Sequence, residues 1–64
     1  MVIINGTKIE AAGISVSKYL LDAGYSLKTI AVEINEEILP KKDYSDTILK
    51  DGDIVEVVNF VGGG

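Results

Sequence analysis

The sequence predicts an α+β fold in which a mixed sheet of four to five short strands carries one main helix on one face. Three observations support this prediction: β-branched runs near both ends of the chain, one stretch with helical apolar spacing, and turn residues between them. A single helix cannot cover both faces of such a sheet, so we expect it to pack on one of them. With 64 residues, 47% of them hydrophobic, the chain favours one compact core.

The first two strands are predicted to form a β-hairpin. Residues 2–4 are a Val-Ile-Ile run, Asn5-Gly6 follows, and a second strand is expected at residues 7–11. Asn-Gly accepts the positive φ angles of a two-residue type I′ turn, which matches the twist of the flanking strands.

One short helix is predicted at residues 16–23. Apolar side chains recur there with the i, i+3, i+4, i+7 spacing of one helix face, beginning at Val16. Ser15 stands at the N-cap, where its hydroxyl can accept a backbone N–H of the first turn. Gly24 suits the left-handed position that ends a helix.

The second half of the chain supplies the remaining strands. The predicted segments are a strand at 29–34, a polar turn at 35–37, an extended piece at 38–39 closed by Pro40, and a loop or single helical turn at 41–48. The last strand, at 54–61, has apolar side chains in both alternation registers. This is typical of a central strand, and we expect it to pair parallel to the first. The three tyrosines (Tyr19, Tyr25 and Tyr44) are expected at the core edge with their hydroxyls in water.

We predict one domain, residues 1–61, followed by a flexible tail of Gly62, Gly63 and Gly64. The glycines directly continue an apolar strand, with no polar linker. Without Cβ atoms they could enter a narrow channel that side chains would block. The four residues from Val61 onward can reach about 13 Å when extended. The alternative is that the glycines are an idle, frayed end.

The composition excludes several classes of function. Because the chain has no cysteine and no histidine, it offers no thiolate zinc site, cysteine nucleophile or histidine proton shuttle, and we predict neither a metal nor a cofactor. Ten acidic against six basic residues, with no arginine, argue against nucleic acid as a partner.

No apolar run spans a bilayer and no signal-peptide pattern is present, so we expect a soluble cytoplasmic protein without a membrane partner. The acidic pairs Glu36-Glu37 and Asp51/Asp53 sit in turns, where carboxylates are usually solvated, and no catalytic residue is predicted.

The terminal carboxylate of Gly64 is then the candidate reactive group. It is ionised at neutral pH and therefore a poor electrophile. A partner must activate it, most simply as an acyl-adenylate made from ATP. Since the chain lacks a glycine-rich phosphate loop with lysine, that partner must supply the ATP site. We therefore predict a carrier that acts as a co-substrate of other enzymes, not an enzyme.

Four segments carry a resemblance to a known family. They are Gly13-x-Ser15-Val16-x-x-Tyr19-Leu20-Leu21, Ala31-Val32-x-x-Asn35-x-x-Ile38-Leu39-Pro40-Lys41, Leu49-x-Asp51-Gly52-Asp53-x-Val55-Glu56 and the final Gly63-Gly64. In this order, and over essentially the whole chain, they resemble the ThiS family of thiamine-biosynthesis sulfur carriers. The departures are a third glycine, Gly62, and Lys18 where an acidic residue is frequent.

This resemblance implies a β-grasp, ubiquitin-like fold and a reaction cycle. A ThiF-like, ATP-dependent adenylyltransferase would adenylate Gly64, and a sulfur donor protein would convert it to a thiocarboxylate. The sulfur would then enter the thiazole ring on a ThiG-like thiazole synthase.

An apolar surface near the end of the last strand is the predicted partner interface. Val58 and Phe60 share a face of that strand, expected to point away from the helix, and Ile3 and Val61 extend the surface. As an exposed patch it would dock the activating enzyme and the synthase. The alternative is that the loop at 38–48 covers it.

Two other functions stay open at this point. The small subunit of molybdopterin synthase resembles this chain in fold and Gly-Gly end, but it is usually longer by a helical insertion. A non-carrier binding module, such as a β-grasp RNA-associated domain, fits the net charge of -4 poorly.

Overall fold

The computed structural model describes residues 1–60, so Val61 and the predicted tail at 62–64 lie outside the described residues. The elements are β1 (Val2–Ile4), β2 (Thr7–Ile9), α1 (Val16–Asp22), β3 (Ile30–Ile34), β4 (Glu37–Leu39), a 3-10 turn (Lys41–Asp43) and β5 (Ile54–Asn59). The strands form one mixed sheet in the order β2-β1-β5-β3-β4. The predicted α+β arrangement of four to five strands with one main helix is confirmed, with five strands among the described residues.

The last strand, β5, lies in the middle of the sheet. It runs parallel to β1, with Ile3 beside Ile54, and antiparallel to β3. Both the central position and the parallel pairing were predicted from the apolar side chains on its two faces. The strand ends at Asn59, and the Phe60 N–H still donates to the carbonyl of Thr29 at 2.9 Å.

Both hairpins turn through two residues with positive φ. At the first, Asn5 and Gly6 have φ angles of 50° and 83°, as expected of the type I′ turn predicted there. At the second, Asn35 and Glu36 have φ angles of 52° and 72°. The predicted polar turn over 35–37 is therefore one residue too long, because a two-residue turn leaves Glu37 in β4, paired with Ile34.

The side chains of both turn asparagines bind β5. Asn5 Oδ1 accepts the Val57 N–H at 2.8 Å, and Asn5 Nδ2 donates to the Val57 carbonyl at 3.4 Å. Asn35 Oδ1 accepts the Ile54 N–H at 3.0 Å. The backbone N–H of Asn5 donates to the Val55 carbonyl at 2.9 Å. Beyond that bond the side-chain amide of Asn5 continues the ladder to Val57, where the backbone of β1 has turned away.

The helix begins at its predicted cap. The Ser15 hydroxyl accepts the Lys18 N–H at 3.1 Å, and Gly24 has a φ of +89° just beyond the helix end. None of the helical segments in the described range has the length and apolarity needed to cross a bilayer.

The core lies between α1 and one face of the sheet. Its buried members are Val2, Ile4, Ala11, Val16, Leu20, Ile30, Val32, Tyr44, Leu49, Val55 and Val57. Tyr44 was expected at the core edge, and this is wrong: its side chain is 3% exposed and its hydroxyl bonds to the backbone of Val32. The loop after the 3-10 turn carries it inward, because the Tyr44 carbonyl accepts the Ser17 N–H at 3.1 Å.

Candidate partner interface on the open face of the sheet

The sheet has one face covered by α1 and one open face, which we call the outer face. Because side chains alternate along a strand, the buried Val55 and Val57 of β5 point to the helix and their neighbours point away. On the outer face β5 therefore presents Ile54, Glu56 and Val58.

Large apolar side chains are exposed on this face. The exposed fractions are 51% for Val58, 57% for Phe60, 54% for Ile54 and 74% for Ile38, while Ile3 is half-buried. The alternative that the loop at 38–48 covers Val58 and Phe60 is wrong. That loop packs against the helix side, where the Thr47 carbonyl accepts the Val16 N–H at 2.9 Å.

The strand register arranges the outer face in successive rows. At one end Ile3 lies between Lys8 of β2 and Ile54 of β5. At the other end Val58 lies beside Ala31 of β3. From Ile54 to Val58 is four residues, or about 13 Å along the strand. The residues predicted as one patch thus form two apolar groups, with Ile3 in one and Val58 in the other.

An acidic row separates the two apolar groups. Glu56 and Glu33 are directly paired across β5 and β3, and Ile38 of β4 lies beside Glu33. A shallow depression at this place is lined by Glu33, Glu36, Ile54 and Glu56. The ion pairs within residues 1–60 are Met1–Asp51 and Lys18–Asp22, so no cation of this part of the chain pairs with the three glutamates.

The outer face also presents four residues that were not predicted as site residues: Ile54, Ile38, Glu33 and Glu56. Ile54 carried a usable signal, since it has the same alternation parity as Val58 and the expected parallel pairing places it near β1. No signal in the sequence predicted the Glu33–Glu56 pairing, because it depends on the register between two strands that are distant in the sequence.

Phe60 is the last described residue, and the reactive group predicted from the sequence lies beyond it. Of the predicted site, Ile3, Val58 and Phe60 are placed on the structure, whereas Val61, Gly62, Gly63 and Gly64 lie outside the described residues. Within residues 1–60 no group of three acidic side chains is arranged to hold a metal ion. The described outer face presents two exposed apolar groups on either side of an acidic centre.

Comparison with known proteins identifies close relatives. The sequence profile of the ThiS family matches residues 2–64. A sulfur carrier protein ThiS of Thermus thermophilus is 39% identical over 64 residues, covering 100% of both chains. The crystal structure of a thiamine biosynthesis protein (ThiS) from Geobacter metallireducens superposes with a TM-score of 0.78 at 31% identity, over 98% of this chain and 97% of that one. This agreement confirms the β-grasp, ubiquitin-like fold.

A second kind of relative is much longer. A thiazole synthase of Paramagnetospirillum magneticum is 40% identical over 63 residues, which is 97% of this chain but 19% of that protein. The chain thus spans about a fifth of the length of this relative.

Proposed function

Because the chain belongs to the ThiS family, we propose that it is a sulfur carrier of thiamine biosynthesis whose reactive group is the Gly64 carboxylate. The observation that carries this proposal is the family match over residues 2–64, which includes the three glycines. It is supported by the full-length alignment with a relative named as a sulfur carrier protein. The central position of β5 adds to it, since the strand that leads to the glycines is held by neighbours on both sides.

The chemistry begins with activation of the carboxylate. A Gly64 oxygen attacks the α-phosphorus of ATP, an acyl–phosphate bond forms, and pyrophosphate leaves. A sulfur nucleophile at the oxidation level of sulfide, supplied by a donor protein, then attacks the acyl carbon and AMP leaves. The resulting thiocarboxylate is a better nucleophile than the carboxylate, and it donates its sulfur for thiazole formation.

Two enzymes use the carrier in turn. A ThiF-like adenylyltransferase provides the ATP site, and a ThiG-like thiazole synthase accepts the sulfur. The surface that docks them includes Val58 and Phe60 in one apolar group and Ile3 in the other, and Val61 is predicted to contribute to it. The long relatives named as thiazole synthases support the second partner, because a segment like this chain and a synthase occur there in one polypeptide.

An ATP–pyrophosphate exchange assay tests the first step. The adenylyltransferase of the same organism, ATP and labelled pyrophosphate are incubated with the chain or with a variant lacking Gly64. We expect exchange with the complete chain and none above background with the shortened one. Equal exchange with both would refute Gly64 as the adenylated residue.

A further inference from the structure

We propose that the acidic row of the outer face binds a basic side chain of the thiazole synthase, an arginine or lysine that lies between Glu33 and Glu56. The inference rests on the proposed function, because it names the contact by which the carrier recognises one of its partners. It concerns Glu33 and Glu56, which are not among the docking residues predicted from the sequence.

The pairing of the two glutamates is unfavourable in the free chain. Like charges directly opposite each other on neighbouring strands destabilise a sheet. Glu33 and Glu56 are such a pair, and Glu36 adds a third carboxylate to the same depression. Departures from local rules of stability are expected where a surface serves a function. A cation placed between the two carboxylates would turn the repulsion into attraction.

The surroundings suit a long basic side chain. Ile54 and Val58 flank Glu56 on the same face and are each about half exposed. The aliphatic stem of lysine or arginine can lie on such side chains while its charged end reaches the carboxylates. A guanidinium can also bind carboxylate oxygens through two parallel hydrogen bonds, and arginine is enriched in protein interfaces.

The same features argue against other occupants. A second copy of this chain packed face to face about a twofold axis would bring a central glutamate pair against its equivalent, and the chain's net charge of -4 adds to that repulsion. A metal ion is disfavoured because no group of three acidic side chains within residues 1–60 is arranged to hold one. Nucleic acid would meet carboxylates of its own sign.

The thiazole synthase is the partner to which this surface is assigned. In the long relatives, a segment like this chain is part of the same polypeptide as the synthase. In those relatives such linkage keeps the two parts at a high effective concentration, which favours contacts between them.

The test compares glutamine variants of the glutamates on the two faces of the sheet. Glu33→Gln, Glu56→Gln and the double variant remove charge from the outer face and keep side-chain size. Glu37→Gln is the matched control, since Glu37 lies on the adjacent strand and pairs with Ile34 on the helix side. The affinity of each for the thiazole synthase of the same organism is measured by calorimetry at low and high salt.

We expect the double variant to bind about tenfold more weakly at low salt, with the difference shrinking at high salt, and the control to bind like the unmodified chain. The free outer-face variants should melt at the same temperature as the unmodified chain or higher, because the repulsion is relieved. This combination distinguishes a binding role from a structural one.

Two results would overturn the inference. If the synthase binds the unmodified chain and the double variant equally at low salt, the acidic row has no role in docking, and the carrier function is untouched. If the synthase does not bind the unmodified chain, the inference and the synthase partnership both fail, while the exchange assay on Gly64 still decides whether the chain is adenylated.

Discussion

Asn5 offers the sharpest test of how the central strand is held. Its backbone has a φ of 50°, and its side chain binds both the N–H and the carbonyl of Val57. Substitution by glycine keeps the left-handed backbone accessible and removes both hydrogen bonds. Substitution by alanine removes the same bonds but keeps a Cβ in the left-handed region, without the short polar side chain that lets asparagine adopt it. The two variants therefore separate the side-chain contribution from the backbone one.

The expected losses follow from these contacts. The 2.8 Å bond to the part-buried Val57 N–H dominates, because the 3.4 Å bond to its carbonyl is long. A part-buried N–H left without a partner costs about 1–3 kcal/mol, so we expect Asn5→Gly to lower the free energy of unfolding by about 1–2 kcal/mol. We expect Asn5→Ala to lose about 1 kcal/mol more than Asn5→Gly, because alanine adopts the left-handed backbone less readily than glycine does. In a domain of this size, each 1 kcal/mol lowers Tm by about 4–8 °C.

Thermal unfolding followed by circular dichroism measures both variants, with Thr7→Ala as a control. Thr7 is exposed on the same hairpin, and its replacement should change stability by no more than about 0.5 kcal/mol. If Asn5→Gly melts at the same temperature as the unmodified chain, the side-chain bonds to Val57 contribute nothing to stability. If the glycine and alanine variants melt at the same temperature, the expected cost of alanine in the left-handed region is refuted.

Three further predictions concern single positions. Glu36→Gly should raise the free energy of unfolding, measured in urea, by about 0.5–1 kcal/mol, because Glu36 has a φ of 72°. Glu37→Gly in β4 should lower that free energy, and equal shifts in the two variants would contradict this. Burial raises the pKa of Tyr44 above its ordinary value of 10.0, despite an opposing bond to the backbone of Val32, so stability should be full below pH 10 and fall above it. Tyr44→Phe should lessen that alkaline loss in urea titrations, and an unchanged loss would refute the assignment. Phe60→Asp should weaken binding to the adenylyltransferase about tenfold or more while the circular dichroism spectrum stays native; a loss of folding would refute Phe60 as a docking residue.

Local signals predicted much of this fold from the sequence. Asn5-Gly6 and the hydroxyl of Ser15 both act within a few residues of their own position, and the structure has the turn and the cap where they were expected. The second hairpin was placed less well, since Glu36 in the left-handed region lacks the glycine that usually marks such a turn.

The remaining features depend on contacts between distant parts of the chain. The burial of Tyr44 follows from a loop that returns to the helix, and no pattern around Tyr44 encodes that return. The separation of Ile3 from Val58 by the acidic row follows from the register of β5 with β1 and β3. A single sequence gives the faces of each strand, but it does not give the register between strands.

The mass of the intact chain tests the carrier function most directly. The chain is incubated with the adenylyltransferase, ATP and a sulfur source, and a variant lacking Gly64 is treated in the same way. We expect a gain of about 16 Da, the difference between sulfur and oxygen, located at Gly64 by fragmentation and absent from the shortened variant. An unchanged mass with enzymes that are active on their own carrier, or a gain located at any other residue, would contradict the proposal that Gly64 carries the sulfur.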